Sequence, residues 1–447
     1  MQLVNRRNSW RAMLFCLLVS SVLQQARTGE PDPITADAPL RWFRGNLHTH
    51  SLWSDGNDFP EMIAEWYRTH GYQFLALSDH NVLSAGERWM SWSRIEKRGH
   101  PAALEKYLAR FGDHWVETRG DRAQETLEVR LKPLDEFRHL VEERGKFLMI
   151  PSEELSDAVD GKPLHINIAN IQELIQPLGG ATMRDAMAAD LRAVEEQERK
   201  SGKPMLAHLN HPNFGWAVTA EDIAAVINER FVEVYNGHTG VNNDGDEHRA
   251  GMEEIWDIAN TLRIAELNAA PLMGLATDDS HHYDGAQEQR PGRGWIMVRA
   301  RHLTPDSLIR AIKAGDFYAS TGVTLRDFQY DASTRTLSLE IEPQGDAVFT
   351  TRFVGTPRDA LLDGKERTDG AGAALDTTKK YSSEIGRTFA EATGTNPSYQ
   401  LTGEELYIRA IVTSSVPHPD PSLAGQLQQA WTQPVGWSLK GDATPDK

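Results

Sequence analysis

The stretch Phe43-Arg44-Gly45-Asn46-Leu47-His48-Thr49-His50 closes on two histidines, and Ser51-Leu52-Trp53-Ser54-Asp55-Gly56 follows directly. A strand over Phe43–His48 puts His48 and His50 on one side at its end, because residues two apart share a face. Ser54-Asp55-Gly56 has turn composition and can fold a carboxylate back toward the two imidazoles. Asp58, farther along the loop, is the competing carboxylate. The pair alone decides little: 16 histidines in 447 residues yield about half an H-x-H pair by chance.

Repetition at other strand ends raises the signal. Apolar runs over Phe74–Ser78, Phe147–Pro151, His165–Ala169, Met205–Leu209, Phe231–Tyr235 and Leu272–Ala276 read as six more strands. Helical patterns over Pro60–Thr69, Pro133–Arg144, Thr182–Arg199, Ala220–Glu229 and Asp246–Leu262 lie between most of them. Alternation of this kind predicts an α/β fold in which parallel strands close into a barrel. The second strand ends Ser78-Asp79-His80, the third Ser152-Glu153-Glu154, the fifth His208-Leu209-Asn210-His211-Pro212 and the seventh Asp278-Asp279-Ser280-His281-His282. In a parallel barrel those ends converge on one mouth, so ligand-type residues at five of seven ends point to a site. His165 is the exception, since it opens the fourth strand: either that boundary shifts or the chain runs differently there.

The sequence carries a net charge of −17, which argues against broad nucleic-acid or anionic-membrane binding. Arg6, Arg7 and Arg11, the apolar run Ala12–Leu23 and then Gln24-Gln25-Ala26 have the order of a signal peptide over residues 1–26. The run is too short to span a membrane, so no transmembrane segment is expected in the mature chain. An exported protein, periplasmic or extracellular, is expected. Cys16, the only cysteine, lies inside that run, so a metal site in the mature chain must be built from His, Asp and Glu. Such sulfur-free ligands suit zinc, manganese or iron.

Residues 84–132 read as a charged helical insertion between the second and third strands. After Thr304–Ala314 the texture changes to short alternating strands, including Leu337–Ile341, Ala347–Phe353, Tyr399–Thr402 and Leu406–Val412, with a closing strand at Ala430–Leu439. Residues 356–398 read as a long surface loop. The expected organisation is a barrel over 41–322 followed by a small all-β, sandwich-like domain over 323–447.

The ordered set His48-x-His50, Ser54-Asp55-Gly56, Ser78-Asp79-His80, Glu154, His165, His211-Pro212 and Asp279-x-His281 resembles the PHP (polymerase and histidinol phosphatase) superfamily. The signal peptide, Ala311-Ile312-Lys313-Ala314-Gly315-Asp316-Phe317-Tyr318 and the β-rich tail are most similar to its exported, carbaryl-hydrolase-like branch. The resemblance implies a distorted, TIM-like (β/α)7 barrel with two or three divalent metal ions (Zn, Mn or Fe). It assigns His48, His50, Glu154 and Asp279 to one ion, Glu154, His165 and His211 to a second, and Asp55, His80 and His281 to a third. His80, Asp279 and His281 are then the catalytic residues. Glu154 and Asp279 fit the motifs better than Glu153 and Asp278, Asp79 is expected to orient a ligand imidazole, and His208 to pack.

Such a cluster implies a metal-dependent hydrolase of small-molecule esters, with phosphoesters favoured. A carboxyl or carbamate ester hydrolase is the alternative, and a non-catalytic surface-binding protein the third. Many phosphatase relatives carry an arginine shortly after His-Pro, whereas Pro212 is followed here by Asn213, Phe214, Gly215 and Trp216. Arg290 and Arg293 are the candidate replacements as substrate contacts, with Phe214, Trp216 and Tyr283 as an aromatic wall. Polymerase proofreading is not expected of an exported single chain lacking polymerase domains. The oligomeric state is not legible.

Overall fold

A computed structural model describes residues 38–441 except 99 and 286–287. The expected signal peptide lies outside the described residues. None of the described helices is long and apolar enough to cross a membrane.

Seven strands build the part of the fold that carries the ligand-type residues: β1 (Arg41–Asn46), β2 (Phe74–Leu77), β3 (Leu148–Val159), β4 (Lys162–Ala169), β5 (Leu206–Leu209), β6 (Phe231–Asn236) and β7 (Met273–Thr277). They are neighbours in chain order. Helices α1 (Pro60–Thr69), α2 (Leu134–Val141), α3 (Met183–Ser201), α4 (Ala220–Ala225) and α5 (Met252–Ala265) lie between them. Local chemistry sets the helix ends. The Thr182 side chain accepts from Asp185 N at the start of α3, and Gly202, at φ 67°, ends it. Strand β2 reads Phe-Leu-Ala-Leu with all four residues buried, as a strand covered on both faces requires.

The seven strands come round on themselves. Asp279 N donates to His48 O at 2.9 Å and His50 N to Ser280 O at 2.9 Å, which links the end of β1 to the end of β7. Phe43, Phe74, Ile150, Ala169, Leu206, Phe231 and Leu275, one from each strand, share a single buried cluster. The fold is mixed α/β, and the sheet is not wholly parallel. β3 and β4 form an antiparallel hairpin through Asp160-Gly161, whose φ values of 51° and 77° fit the two-residue turn such sequences favour. β4 is also antiparallel to β5. His165 therefore lies in the first half of a strand that descends from the mouth, which starts at Lys162 rather than at His165, and this resolves its anomalous position. The Asp-Gly pair was the missed signal.

Residues 84–132, expected to be helical, instead contain a three-stranded antiparallel sheet (88–91, 118–119 and 128–131) beside helices Trp92–Lys97 and Ala103–Phe111. Trp92, Ile95, Leu104, Tyr107, Val129 and Leu131 of this insertion pack with Leu52, Trp53 and Phe59 of the loop that carries Asp55.

Beyond β7 the sheet continues. The next elements are β8 (Trp295–Ala300), α6 (Pro305–Lys313), β9 (Phe317–Ser320), β10 (Leu325–Asp331), β11 (Thr336–Ile341), β12 (Phe349–Pro357), β13 (Arg387–Thr393), β14 (Ser398–Gln400), β15 (Glu405–Pro417) and β16 (Leu427–Trp431). The large sheet runs β7-β6-β5-β4-β3-β2-β1-β8-β9-β16-β15-β12-β13, and β10-β11-β14 forms a second layer. Phe328, Leu337 and Leu339 of that layer share a core with Phe353, Ile408 and Val412 of the large sheet. β13 falls within the stretch expected to be surface loop, and the closing strand lies before Pro434 rather than across it.

Candidate metal centre

Each ligand-type residue is placed by backbone ladders that extend the strand ends. Ser78 N bonds Thr49 O at 2.8 Å, Asn81 N bonds Glu154 O at 2.9 Å, and Asn210 N bonds His165 O at 3.0 Å. Asp279 adopts φ 48° and His211 φ 20°, both in the left-handed region that side chains avoid. Such strain persists only where surrounding bonds over-determine it, and it concentrates at functional sites.

The side chains meet around Glu154, which is fully buried. Its Oε1 lies 3.3 Å from His48 Nε2, 2.9 Å from His165 Nδ1 and 3.5 Å from His211 Nε2. Its Oε2 lies 3.4 Å from His50 Nε2 and 2.8 Å from His80 Nδ1. Asp279 Oδ1 stands 3.2 Å from His48 Nε2 and 3.1 Å from His50 Nε2. Asp55 faces His80 and His281 at 3.4 Å each. Among the described residues, four sets bring ligand atoms within 4.8 Å of one another: His50, Asp55, His80 and His281; His48, Glu154 and His211; His48, His50 and Asp279; His80, Glu154 and His165. These sets contain the nine residues singled out from the sequence as metal ligands and no others. The division differs in detail, with His50 also beside Asp55 and His80 also beside Glu154.

Hydrogen bonds leave particular ring nitrogens for the cluster. His48 Nδ1 pairs with Glu233 at 2.8 Å, His80 Nδ1 with the Ser156 hydroxyl at 2.6 Å, and His281 Nδ1 with the Asp279 carbonyl at 3.0 Å. For His48 and His281 this leaves Nε2 facing the cluster, the arrangement by which an outer partner fixes a ligating imidazole, whereas His80 turns Nδ1 toward Glu154 and Nε2 toward Asp55. His48 Nε2, Glu154 Oε2 and His165 Nδ1 are buried and have no hydrogen-bond partner. Burial pushes the Glu154 carboxyl up, but the charges of His80, His165 and His48 outweigh it and hold it well below the usual range. For Asp279, His48 and the hydrogen bond from His50 likewise overcome burial. Burial lowers the His48 imidazole, yet Asp279, Glu154 and Glu233 bring it well above its ordinary value. Packed oppositely charged groups with orphaned atoms suit divalent cations, which would replace the shared protons.

Asp79 departs from expectation, whereas Asp58, Glu153 and Asp278 stand apart from the cluster, in line with the preference for Asp55, Glu154 and Asp279. Asp79 does not hold an imidazole. It accepts from Ser51 N, Ser51 Oγ, Ser54 N and Ser54 Oγ at 2.6–3.0 Å and so shapes the loop before Asp55. Asp58 faces His100 at 3.3 Å, away from the cluster. Glu153 accepts from Ile175 N, and Asp278 from Tyr67 and the 292–294 backbone. Arg290 and Arg293 are engaged by Asp420 at 2.5 and 3.4 Å, and Arg293 is buried with Nη1 on Gly237 O, so both guanidiniums expected as substrate contacts already have partners within the fold. Tyr283 is held on His50 O and Ser280 O, and Trp216 stacks under Arg249, which leaves Phe214, 5.3 Å from the His211 ring, as the aromatic side chain beside the cluster.

Two residues went unread. Glu233 sits mid-strand on β6, where an isolated glutamate in an apolar run was the available signal. It accepts from His48, Thr277, His211 N and Asn236. His238, 5.5 Å from the His281 ring, follows β6, and burial lowers its imidazole to about 4.

Neither known protein families nor curated proteins give a match to the chain. Among solved structures, similarity is found to a two-domain Bacteroides vulgatus protein containing a predicted PHP-like metal-dependent phosphoesterase. Identity is 15%, coverage is 89% of this chain and 96% of that one, and the TM-score is 0.39. A Bifidobacterium adolescentis protein assigned as a metal-dependent phosphoesterase matches at 13% identity over 55% of this chain and 89% of that one, with a TM-score of 0.28. At these values neither match carries weight, and function is read from the residues.

Proposed function

We propose that this chain is a metal-dependent phosphoesterase of the PHP superfamily, its seven-stranded ring being a distorted (β/α)7 barrel with the cluster at its mouth. The observation that carries the reading is the convergence of His48, His50, Asp55, His80, Glu154, His165, His211, Asp279 and His281 into overlapping ligand sets around one buried glutamate. When bound, two or three divalent ions supply hydroxide from water at neutral pH and offset charge on the ester oxygens. Glu154 and Asp279 would hold ions between opposing imidazoles, while Glu233, Ser156 and the Asp279 carbonyl orient His48, His80 and His281. His80 and His281, half-buried beside exposed Asp55, reach the open side of the cluster and are placed to hand a proton to a departing alcohol. The N-terminal Arg6–Ala26 pattern supports export to the periplasm or beyond, which fractionation of cells expressing the full chain tests.

A carboxyl or carbamate esterase is the second reading, favoured by Asn213-Phe214-Gly215-Trp216 after His211-Pro212 in place of the arginine many phosphatase relatives carry there. The test compares aryl phosphate mono- and diesters with matched carboxyl and carbamate esters on manganese- or zinc-loaded protein, with Asp279→Asn as control. Phosphate ester cleavage lost in the variant supports the proposal. Cleavage confined to the carbon esters contradicts it and favours the second reading.

A further inference from the structure

An open surface depression of about 410 Å³ adjoins the cluster, and its lining includes Asp55, His80, Arg88 and Arg94. Arg88 opens the first strand of the 84–132 insertion, and Arg94 lies on the exposed face of the helix that follows. Other arginines of the insertion are neutralised: Arg119 by Glu128, Arg122 by Glu96 and Glu105, and Arg130 by Glu117 and Glu136. Among the described residues, no carboxylate lies within ion-pair distance of Arg88 or Arg94. Two unneutralised guanidiniums side by side repel one another, so an anion between them gains from both. Burial, opposed by Asp79 and reinforced by Arg94, holds the Arg88 guanidinium below its ordinary value. Arg98 donates to Gly56 O at 3.1 Å, and the insertion shares a core with Leu52, Trp53 and Phe59, so the backbone that carries both arginines is packed against the loop that carries Asp55.

We propose that Arg88 and Arg94 form the anion-recognition subsite of this enzyme and select phosphate monoesters. The proposal rests on the phosphoesterase reading. A guanidinium presents N–H donors as a rigid fork matched to phosphate oxygens. A monoester offers three non-ester oxygens and up to two charges, a diester only two oxygens and one charge. Two forks beside the cluster therefore favour the monoester.

The test uses the metal-loaded full chain. Binding of inorganic phosphate is measured by calorimetry, and KM and kcat are measured for p-nitrophenyl phosphate and bis(p-nitrophenyl) phosphate. Arg94→Ala is expected to weaken phosphate binding about tenfold or more and to raise the monoester KM in parallel, with a smaller effect on the diester and kcat within about threefold. Arg94→Lys should recover part of the loss, and Lys97→Ala, which removes the same charge from a position outside the depression, should recapitulate none of it. Arg88→Ala should act in the same direction, although its stack over Trp53 at 5.3 Å makes Arg94 the cleaner site. Wild-type protein that binds no phosphate, unchanged binding in both alanine variants, or an equal loss in Lys97→Ala overturns the subsite. Equal losses for mono- and diester overturn the selectivity. Arginine-dependent phosphate binding without ester cleavage would leave the subsite standing and remove the phosphoesterase reading. Cleavage with an arginine-independent KM would do the reverse.

Discussion

Replacing Glu233 by glutamine isolates the support beneath the cluster from the cluster itself. Glu233 Oε1 accepts from His48 Nδ1 at 2.8 Å and Thr277 Oγ1 at 2.7 Å, and Oε2 accepts from His211 N and Asn236 Nδ2 at 2.8 Å each. Burial raises its carboxyl, but the charge of His48, the nearby His208 ring at 3.6 Å and the bond from His48 hold it well below the usual range. A glutamine keeps the shape and turns one acceptor oxygen into a donor, facing two donors whichever way it flips. One or two buried donors lose their partner, at about 1–3 kcal/mol each. His48 also loses the carboxylate that fixes its Nε2 toward Glu154 and Asp279, a change worth roughly 10–100-fold in metal affinity. Chelator competition should therefore show weaker binding by that factor, and urea denaturation of the metal-free protein a loss of about 1–6 kcal/mol. Metal affinity within twofold of wild type, together with unchanged stability, would refute the argument.

Three further outcomes follow from the geometry. Arg409 on β15 is buried and bonds both oxygens of Asp257 on α5 at 2.9 and 2.7 Å; Arg409→Leu strands that carboxylate and should cost about 3–5 kcal/mol in chemical denaturation. Glu229 is buried and its carboxyl is pushed up to about 8, first by burial and despite bonds from Arg230 N and Phe231 N. The folded state thus holds that proton more tightly, and stability falls as pH rises from the ordinary value of 4.5 toward about 8. Glu229→Gln should then gain Tm relative to wild type across that window, and a pH-independent difference would contradict the assignment. Arg290→Ala should leave the KM for an aryl phosphate within about twofold, because Asp420 already engages that guanidinium.

The strand ends were readable because a buried strand must be apolar and a ligand cannot be. His48, His80, Glu154, His211 and Asp279 interrupt or end apolar runs, so a periodicity argument finds them. Their roles relative to one another were readable only through resemblance, since one-dimensional spacing does not say which carboxylate two histidines share. His165 was placed without explanation because Asp160-Gly161 went unread as a turn, and that turn alone reverses the strand. Arg290 and Arg293 looked available because their partner, Asp420, lies about 130 residues away in sequence. Arg88 and Arg94, within the charged 84–132 insertion, carry no distinguishing signal in the sequence: what sets them apart is a missing partner, and sequence alone cannot show an absence in space. The strands of the tail were legible by alternation, but their hydrogen bonding into the large sheet through β8 and β9 depends on long-range pairing that no local pattern carries.

The most direct test of the account is the metal content of the full chain reconstituted with manganese or zinc, measured by elemental analysis beside Glu154→Gln. Glu154 borders two of the four ligand sets, so its loss should be felt by more than one ion. The account predicts at least roughly two ions per chain in the wild type and fewer by one or more in the variant. A wild-type chain holding less than one ion, or a variant with undiminished content, would contradict it.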